Sequence, residues 1–156
     1  MALGGMAGGT MFAEGGQMEQ VPAKASNSTR TSLHQEWQIS AQPSQVYGLL
    51  LDAKQFAKMS TLPAEIDPKE GGAFSLFQGQ IVGRNVELVR DERVVQAWRP
   101  AHWEAGMYSM VRFALKAQGA GTLVVLDHTG FPEGDFDHLD EGWKAHYAER
   151  METYFK

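Results

Sequence analysis

The chain has 156 residues, of which 43% are hydrophobic and 10% aromatic, and this suits one folded domain with a genuine core. Its net charge of −5 at pH 7 argues against general binding to nucleic acid. No stretch approaches the roughly 20 apolar residues that span a bilayer, so stable membrane insertion is not expected. Because cysteine is absent, disulfides, thiol catalysis and thiolate metal sites are excluded.

The first thirty residues read as an extension that precedes the domain. Residues 1–13 are apolar, rich in glycine and free of charged side chains, like the apolar half of an export signal, but they lack its basic leader. The polar segment after them is typical of disorder. We expect residues 1–30 to be a disordered extension or a signal-peptide remnant, and residues 31–156 to fold. The expected compartment is cytoplasmic by default, with export as the alternative if residues 1–13 end a truncated signal.

The domain opens with a strand and two short helices. Apolar and polar residues alternate over residues 33–40, which predicts a half-buried strand. Pro43 suits the first turn of a helix. Asp52 predicts the cap of a second helix, and Pro63 ends it.

From residue 73 onward the apolar period falls to two, which predicts strands. Turn signals such as Gly71-Gly72 and Gly119-Ala120-Gly121 separate them, so the strands should form a meander of antiparallel hairpins. Gly83 within its strand predicts a bulge or a sharp bend. The five main strand candidates are 73–77, 80–89, 93–99, 108–116 and 122–130, and a further short strand is expected near 65–67.

The closing stretch predicts a long amphipathic helix that starts near Asp137. Trp143, Tyr147, Met151 and Tyr154 recur at steps of four, four and three, so they share one helix face. A bent sheet with one hydrophobic face needs a cover, and this helix is the only element long enough. The order of elements therefore predicts an α+β fold, in which a curved antiparallel sheet of six or seven strands wraps around the C-terminal helix.

Three stretches carry a resemblance to a known family: "FSLFQGQIVGRNVELVRDERVVQAWRPAHWEAGMYSMVRFAL", "HTGFP" and "EGWKAHY". Together they resemble the activators of heat-shock-protein-90 ATPase, with the motifs in the same order from about Thr31 to the end. This resemblance implies the helix-grip fold of the START-like, or SRPBCC, superfamily. Many members of that superfamily have a cavity between the sheet and the C-terminal helix.

The resemblance implies the single-domain type of the family. In the eukaryotic co-chaperones a separate docking domain precedes this one, and the first thirty residues here are too short and too polar to form it. Fold carries over from a family better than function does. The leading hypothesis is a non-catalytic domain that binds a small hydrophobic molecule. The alternatives are a co-chaperone-like module that binds a chaperone or another protein, and a cyclase- or hydratase-type enzyme. No cofactor is expected, and the oligomeric state is a monomer or a dimer.

The expected ligand site lies beneath the aromatic stripe of the C-terminal helix, where tryptophan and tyrosine supply apolar bulk and polar tips. Arg99 sits between Trp98 and Trp103, where it covers an aromatic face, anchors a ligand carboxylate or pairs with a surface acid. The candidate residues are Phe74, Val86, Trp98, Arg99, Val111, Phe113, Val125, His128, Trp143, His146, Tyr147 and Met151.

The sequence offers little support for metal or nucleophilic chemistry. The five histidines form no H-x-H or H-x-x-x-H pair, so no metal site is expected. The acids around Asp137 lack EF-hand spacing and suit a helix start instead. No G-x-S-x-G nucleophile motif is present. The enzyme alternative therefore depends on His128 or His146 as acid or base, with Asp127 nearby. His128 either lines the cavity or faces solvent.

Overall fold

The computed structural model describes residues 30–156, so the expectations for residues 1–29 lie outside the described residues. No helix within the described range combines the length and the apolarity needed to cross a membrane. Within this range the strands are β1 (Ser32–Ile39), β2 (Glu65–Ile66), β3 (Ala73–Leu76), β4 (Ile81–Val89), β5 (Arg93–Pro100), β6 (Ser109–Gln118) and β7 (Gly121–Thr129). The helices are α1 (Pro43–Leu51), α2 (Ala53–Ser60), α3 (Phe136–Trp143) and α4 (Glu149–Tyr154). A π-helical turn, Lys144–Ala148, joins the last two into one C-terminal helix over 136–154.

The two short helices begin where the sequence predicts. Pro43 is the first residue of α1, where its missing N–H and fixed φ cost nothing. Asp52 caps α2, because one carboxylate oxygen accepts hydrogen bonds from the backbone N–H groups of Lys54 at 2.8 Å and Gln55 at 3.1 Å. These two bonds lower the pKa of Asp52. Pro43 and Asp52 thus fix where the two helices begin, and short connections join them to β1 and to each other.

The strands form one antiparallel sheet in the order β1-β7-β6-β5-β4-β3-β2. Strands β2 to β7 follow one another as hairpins, and β7 returns to pair with β1. The two helices after β1 carry the chain across to the opposite edge. The predicted curved antiparallel sheet of six or seven strands with a long C-terminal helix is confirmed, and the sheet has seven strands.

The bulge lies later in β4 than predicted. The register shifts between Asn85 and Glu87, so Val86 is the extra residue and not Gly83. An inserted residue breaks the alternation of faces, and Val86 is 46% exposed as a result. The prediction that Val86 lines a cavity is therefore wrong.

Gly83 is required for a different reason, the close approach of its neighbours. A Cβ atom built on it would lie 2.0 Å from the carbonyl oxygen of Ala97 and 2.7 Å from Cζ of Phe74. Real Cβ atoms essentially never lie within 3.0 Å of a non-bonded heavy atom. The Phe74 ring therefore covers the backbone of β4, where a side chain would otherwise stand.

The core lies between the concave face of the sheet and the helices. The helix contributes Trp143, Tyr147 and Met151, each at most 3% exposed, as the spacing predicted. Full burial of one such side chain stabilises the fold by about 1.5–3 kcal/mol. The sheet residues buried against them include Phe74, Val94, Trp98, Val111, Phe113, Val124 and Leu126.

Gly83→Ala should destabilise the domain by about 2–4 kcal/mol, because the β4 and β5 backbones must move apart to admit the methyl group. Urea unfolding monitored by circular dichroism measures this. Gly142→Ala is the matched control: its Cβ would meet nothing closer than 4.0 Å, and removing a glycine from a helix should stabilise by about 0.5–1 kcal/mol. Equal free energies of unfolding for the two variants would contradict the steric account.

Candidate functional site

All four tryptophans of the chain belong to one buried cluster under the C-terminal helix. Trp143 stacks on Trp98 with ring centroids 5.3 Å apart and lies 6.3 Å from Trp37. Trp103 meets Trp98 edge to face at 6.4 Å. Tyr147 continues the cluster, with its centroid 4.5 Å from that of Trp143. Aromatic pairs at these distances add about 0.5–1.5 kcal/mol beyond their burial.

His128 lies at the centre of the cluster and joins the helix to the sheet. The indole Nε1 of Trp143 donates to Nδ1 of His128 at 3.0 Å. Because an indole N–H only donates, Nδ1 must be unprotonated and the ring proton must reside on Nε2. Nε2 then donates to the hydroxyl of Ser109 at 2.8 Å, and that hydroxyl donates to the carbonyl of Trp98 at 2.8 Å. The chain of hydrogen bonds has one direction and uses both nitrogens of the ring.

This environment makes His128 a neutral structural residue. Burial lowers its pKa to about 3. Asp127 points to the opposite face of β7, where it bonds His34 at 2.7 Å and lies 3.8 Å from Arg112. Asp127 is therefore not placed to assist His128, because neighbouring residues of a strand face opposite ways.

The same alternation decides the position of Val125. His128 belongs to the inward set of β7 together with Val124 and Leu126. Val125 therefore shares the outward face with Asp127, and it lies outside the core cluster although it is 9% exposed. The prediction that Val125 lines a cavity under the helix is wrong.

Arg99 organises a loop and does not reach the interior. Its guanidinium donates to the backbone carbonyls of Trp103, Glu104 and Met107, the last two at 3.0 Å each. The cation lies 5.7 Å from the ring centroid of Tyr108, not over Trp98 or Trp103 as one alternative held. Arg99 thus holds the segment between β5 and β6 and is no ligand anchor inside the sheet.

A cavity of about 610 Å³ lies between the C-terminal helix, the end of β5 and the turn between β3 and β4. Four of the predicted residues border it: Trp98, Trp143, His146 and Tyr147. Its other apolar walls are Leu62, Phe77, Ile81, Pro100, Ala101 and Leu139. The volume falls within the range of about 300–1,000 Å³ that is usual for small-molecule sites. Phe74, Val111, Phe113, His128 and Met151 are buried in the core behind these walls.

The sequence missed Phe77, the aromatic wall contributed by the β3–β4 turn. The strand was expected to run to residue 77, but it ends one residue earlier. Phe77 and Gln78 have φ of 54° and 58°, and Gly79 has φ of 85°. A left-handed phenylalanine is strained, and such residues concentrate at functional sites. The strain turns the ring onto the helix, where its centroid lies 5.6 Å from that of Tyr147. The sequence clue to this turn is Gly79, because glycine adopts the left-handed backbone that such turns require.

The helix wall of the cavity coincides with an irregular helical turn. The π-helical segment Lys144–Ala148 contains His146 and Tyr147, which both border the cavity. Single π-helical turns within α-helices occur frequently at functional sites. The widened turn and the strained Phe77 face each other, since the His146 and Phe77 ring centroids are 6.0 Å apart.

A second, larger groove of about 980 Å³ separates the C-terminal helix from α1 and α2. Its walls are mainly polar and charged, with Gln45, Gln55, Lys58, Glu149 and Arg150 among them. Small-molecule sites are mostly apolar with few polar groups, so the aromatic cavity is the better candidate site. Within residues 30–156, no group of three histidines or carboxylates is placed to hold a metal ion.

An antiparallel sheet wrapped around a C-terminal helix, with a cavity between the two, defines a helix-grip domain of the START-like class. The model of the family described as Activator of Hsp90 ATPase homolog 1-like protein matches residues 40–156. This chain belongs to that family.

Individual relatives agree with the family assignment. An activator of 90 kDa heat shock protein ATPase homolog from Dictyostelium discoideum is 30% identical over 135 residues, which are 86% of this chain and 35% of the relative. The crystal structure of an HSP90 activator from Plasmodium falciparum is 25% identical with a TM-score of 0.75, over 80% of this chain and 95% of that one. CalU16 from Micromonospora echinospora shares the fold, with 22% identity and a TM-score of 0.68 over 83% of each chain. This chain spans about a third of the length of the curated relatives it matches.

His128→Leu should destabilise the protein by about 2–4 kcal/mol at pH 7, because it leaves the Trp143 N–H and the Ser109 hydroxyl without their partner. It should also flatten the acid dependence of stability. In the unfolded chain the His128 imidazole takes up a proton near pH 6.5, and in the folded chain it does so only near pH 3. Wild-type stability therefore falls by up to about 1.4 kcal/mol per pH unit across that window, and the variant lacks this share.

Urea unfolding of both proteins at pH 7, 6, 5 and 4 measures the effect. His34→Gln is the control. The hydrogen bonds of His34 to Asp127 and Glu36 raise its pKa, so protonation of His34 stabilises the fold as the pH falls, whereas protonation of His128 destabilises it. A His128→Leu profile parallel to the wild type would disprove a neutral, buried imidazole.

Proposed function

We propose that this domain binds a small apolar molecule, without transforming it, in the cavity under the C-terminal helix. The single observation that carries the proposal is the cavity of about 610 Å³, whose apolar lining includes Leu62, Ile81 and Ala101 together with the nearly inaccessible rings of Trp98, Trp143, Tyr147 and Phe77. Apolar walls bury a ligand's apolar surface at about 25 cal/mol per Å². His128, the buried histidine nearest to these walls, has both nitrogens bonded within the protein, which supports a binding role over catalysis.

Gly142 supports the same reading from the helix side. It lies within α3 and borders the cavity, and a Cβ atom there would fit without a clash, since its nearest neighbour would be Cδ2 of His146 at 4.0 Å. Glycine within a helix costs about 0.5–1 kcal/mol relative to alanine. The missing side chain keeps the cavity open, which accounts for a residue that weakens its own helix.

A buried indole donor lies close to the cavity without a well-formed hydrogen bond. Trp98 is 4% exposed, and its Nε1 has no well-formed hydrogen bond within the described part of the chain. Burial raises the pKa of the neighbouring Tyr147 hydroxyl, and the Trp98 side chain opposes that rise, so the two polar tips lie close together without a proper bond. An unsatisfied buried N–H costs about 1–3 kcal/mol, so this part of the cluster is less stable than its ring packing alone suggests.

The proposal predicts that N-phenyl-1-naphthylamine, an uncharged aromatic probe, binds the protein with increased probe fluorescence and quenched tryptophan emission. Gly142→Phe should fold normally and abolish binding, because the ring fills the cavity. Fluorescence titration with melting temperatures for each variant measures both.

Gly48→Phe is the matched control for this substitution. Gly48 is also a helical glycine whose nearest neighbour lies 4.0 Å from its Cβ position, but it borders the polar groove. It should leave probe binding within about twofold of the wild type. If Gly48→Phe abolishes binding and Gly142→Phe does not, the probe binds in the polar groove and the proposed site in the aromatic cavity is wrong.

A second candidate function is docking of a protein partner on the outer surface. Met107, Tyr108 and Met110, at the start of β6, are 37–50% exposed, and large apolar side chains exposed together are typical of interaction surfaces. Relatives are named as activators of the 90 kDa heat shock protein ATPase, which suggests that chaperone as the partner.

The double substitution Tyr108→Ser/Met110→Ser should weaken binding to the 90 kDa chaperone by about tenfold or more, because it removes the exposed apolar contacts. Isothermal titration calorimetry measures the affinity, and the ATPase rate of the chaperone gives a second readout. Lys116→Ser, further along the same strand, is the control. Absence of binding by the wild-type protein would eliminate this candidate.

A further inference from the structure

The cavity brings together hydrogen-bond-donating side chains, one of them an arginine, in an acidic protein. Three of the five histidines of the chain border it, namely His102, His138 and His146, together with Arg150. None of its lining residues is an aspartate or a glutamate, although the chain has 19 acids and a net charge of −5. The lining of the cavity thus contains hydrogen-bond donors and no carboxylate, whereas the protein as a whole has an excess of carboxylates.

Three acidic residues of the loop and helix beside the cavity do not line it. Asp140 accepts a hydrogen bond from Gln35 at 2.7 Å and one from Lys144 at 3.2 Å. Asp135 accepts one from the indole of Trp103 at 3.1 Å. Glu149 borders the polar groove and not the aromatic cavity. These three carboxylates therefore make no direct contact with the Arg150 guanidinium in the structure.

The apolar and polar parts of the cavity are separated. The apolar surface open to a ligand belongs mainly to Leu62, Ile81 and Ala101, and the rings of Trp98, Trp143 and Tyr147 underlie it at no more than 4% exposed. The histidines are exposed, so they form the rim. Arg150 makes only a long hydrogen bond of 3.5 Å to Thr61, which leaves most of its guanidinium donors available. A ligand that matches this arrangement has an aromatic or apolar body and an anionic group at one end.

We propose that the cavity selects aromatic or apolar anions, with the apolar body against Leu62, Ile81 and Ala101 and the carboxylate, sulfonate or phenolate at the rim of His102, His138, His146 and Arg150. This inference rests on the proposed ligand-binding function and names its ligand class. Arginine carries a permanent charge, and imidazole donates an N–H bond in either protonation state. Charge-assisted hydrogen bonds of this kind are about twice as strong as neutral ones.

Two probes with the same apolar body separate the two proposals. The first is 1-anilinonaphthalene-8-sulfonate, and the second is N-phenyl-1-naphthylamine, which lacks the sulfonate. The wild-type protein should bind the sulfonate about tenfold more tightly, equivalent to about 1.4 kcal/mol. Arg150→Gln and the triple substitution His102→Gln/His138→Gln/His146→Gln should each remove most of that preference and change the affinity for the uncharged probe by less than about twofold.

The controls use the same residue types on the outer face of the sheet. His34→Gln and Arg112→Gln replace exposed side chains far from the cavity and should leave both affinities unchanged. Gly142→Phe should abolish binding of both probes, and sulfonate binding that survives it lies elsewhere and overturns the inference. Equal affinity for both probes, unaffected by the rim substitutions, overturns the anion selectivity and leaves the cavity function standing. Failure of both probes to bind overturns the cavity function itself.

Discussion

The directed hydrogen-bond chain from Trp143 through His128 and Ser109 to the carbonyl of Trp98 is the constraint on which the rest of the structure depends. Apolar packing holds the C-terminal helix on the sheet, but it has no preferred direction. The polar chain connects the helix to β7, β6 and β5 in turn, so it fixes the rotation and depth of the helix. In a buried, low-dielectric setting each of its bonds is strong and costly to leave unmade. The position of the cavity walls follows from it, because Trp143 and Trp98 are both its members and two of those walls.

Most of the fold could be predicted from the sequence, because periodicity reports directly on burial. The helix stripe of Trp143, Tyr147 and Met151 is buried as its spacing indicated, and the alternating strands form the expected meander. Family motifs added the connection order. Boundaries were less accurate where a turn imposes unusual backbone angles: Phe77 was expected in a strand and instead opens a left-handed turn.

The candidate site was predicted less completely, for reasons that are physical. Alternation shows that Val125 and His128 face opposite ways, but it does not say which one faces inward. The bulge at Val86 reversed the parity of its strand locally, and nothing in the residue types marked its position. The rim histidines His102 and His138 come from a loop and a helix start that are distant in sequence. Only the three-dimensional structure brings them together.

The location of every tryptophan in one cluster makes the protein its own optical reporter. Indole emission has no source in this chain outside the contact network of Trp37, Trp98, Trp103 and Trp143. Changes in helix docking, in the Trp103 loop and in cavity occupancy therefore enter a single spectrum without any added label. Substituting one indole at a time would assign each spectral component to a place in the molecule.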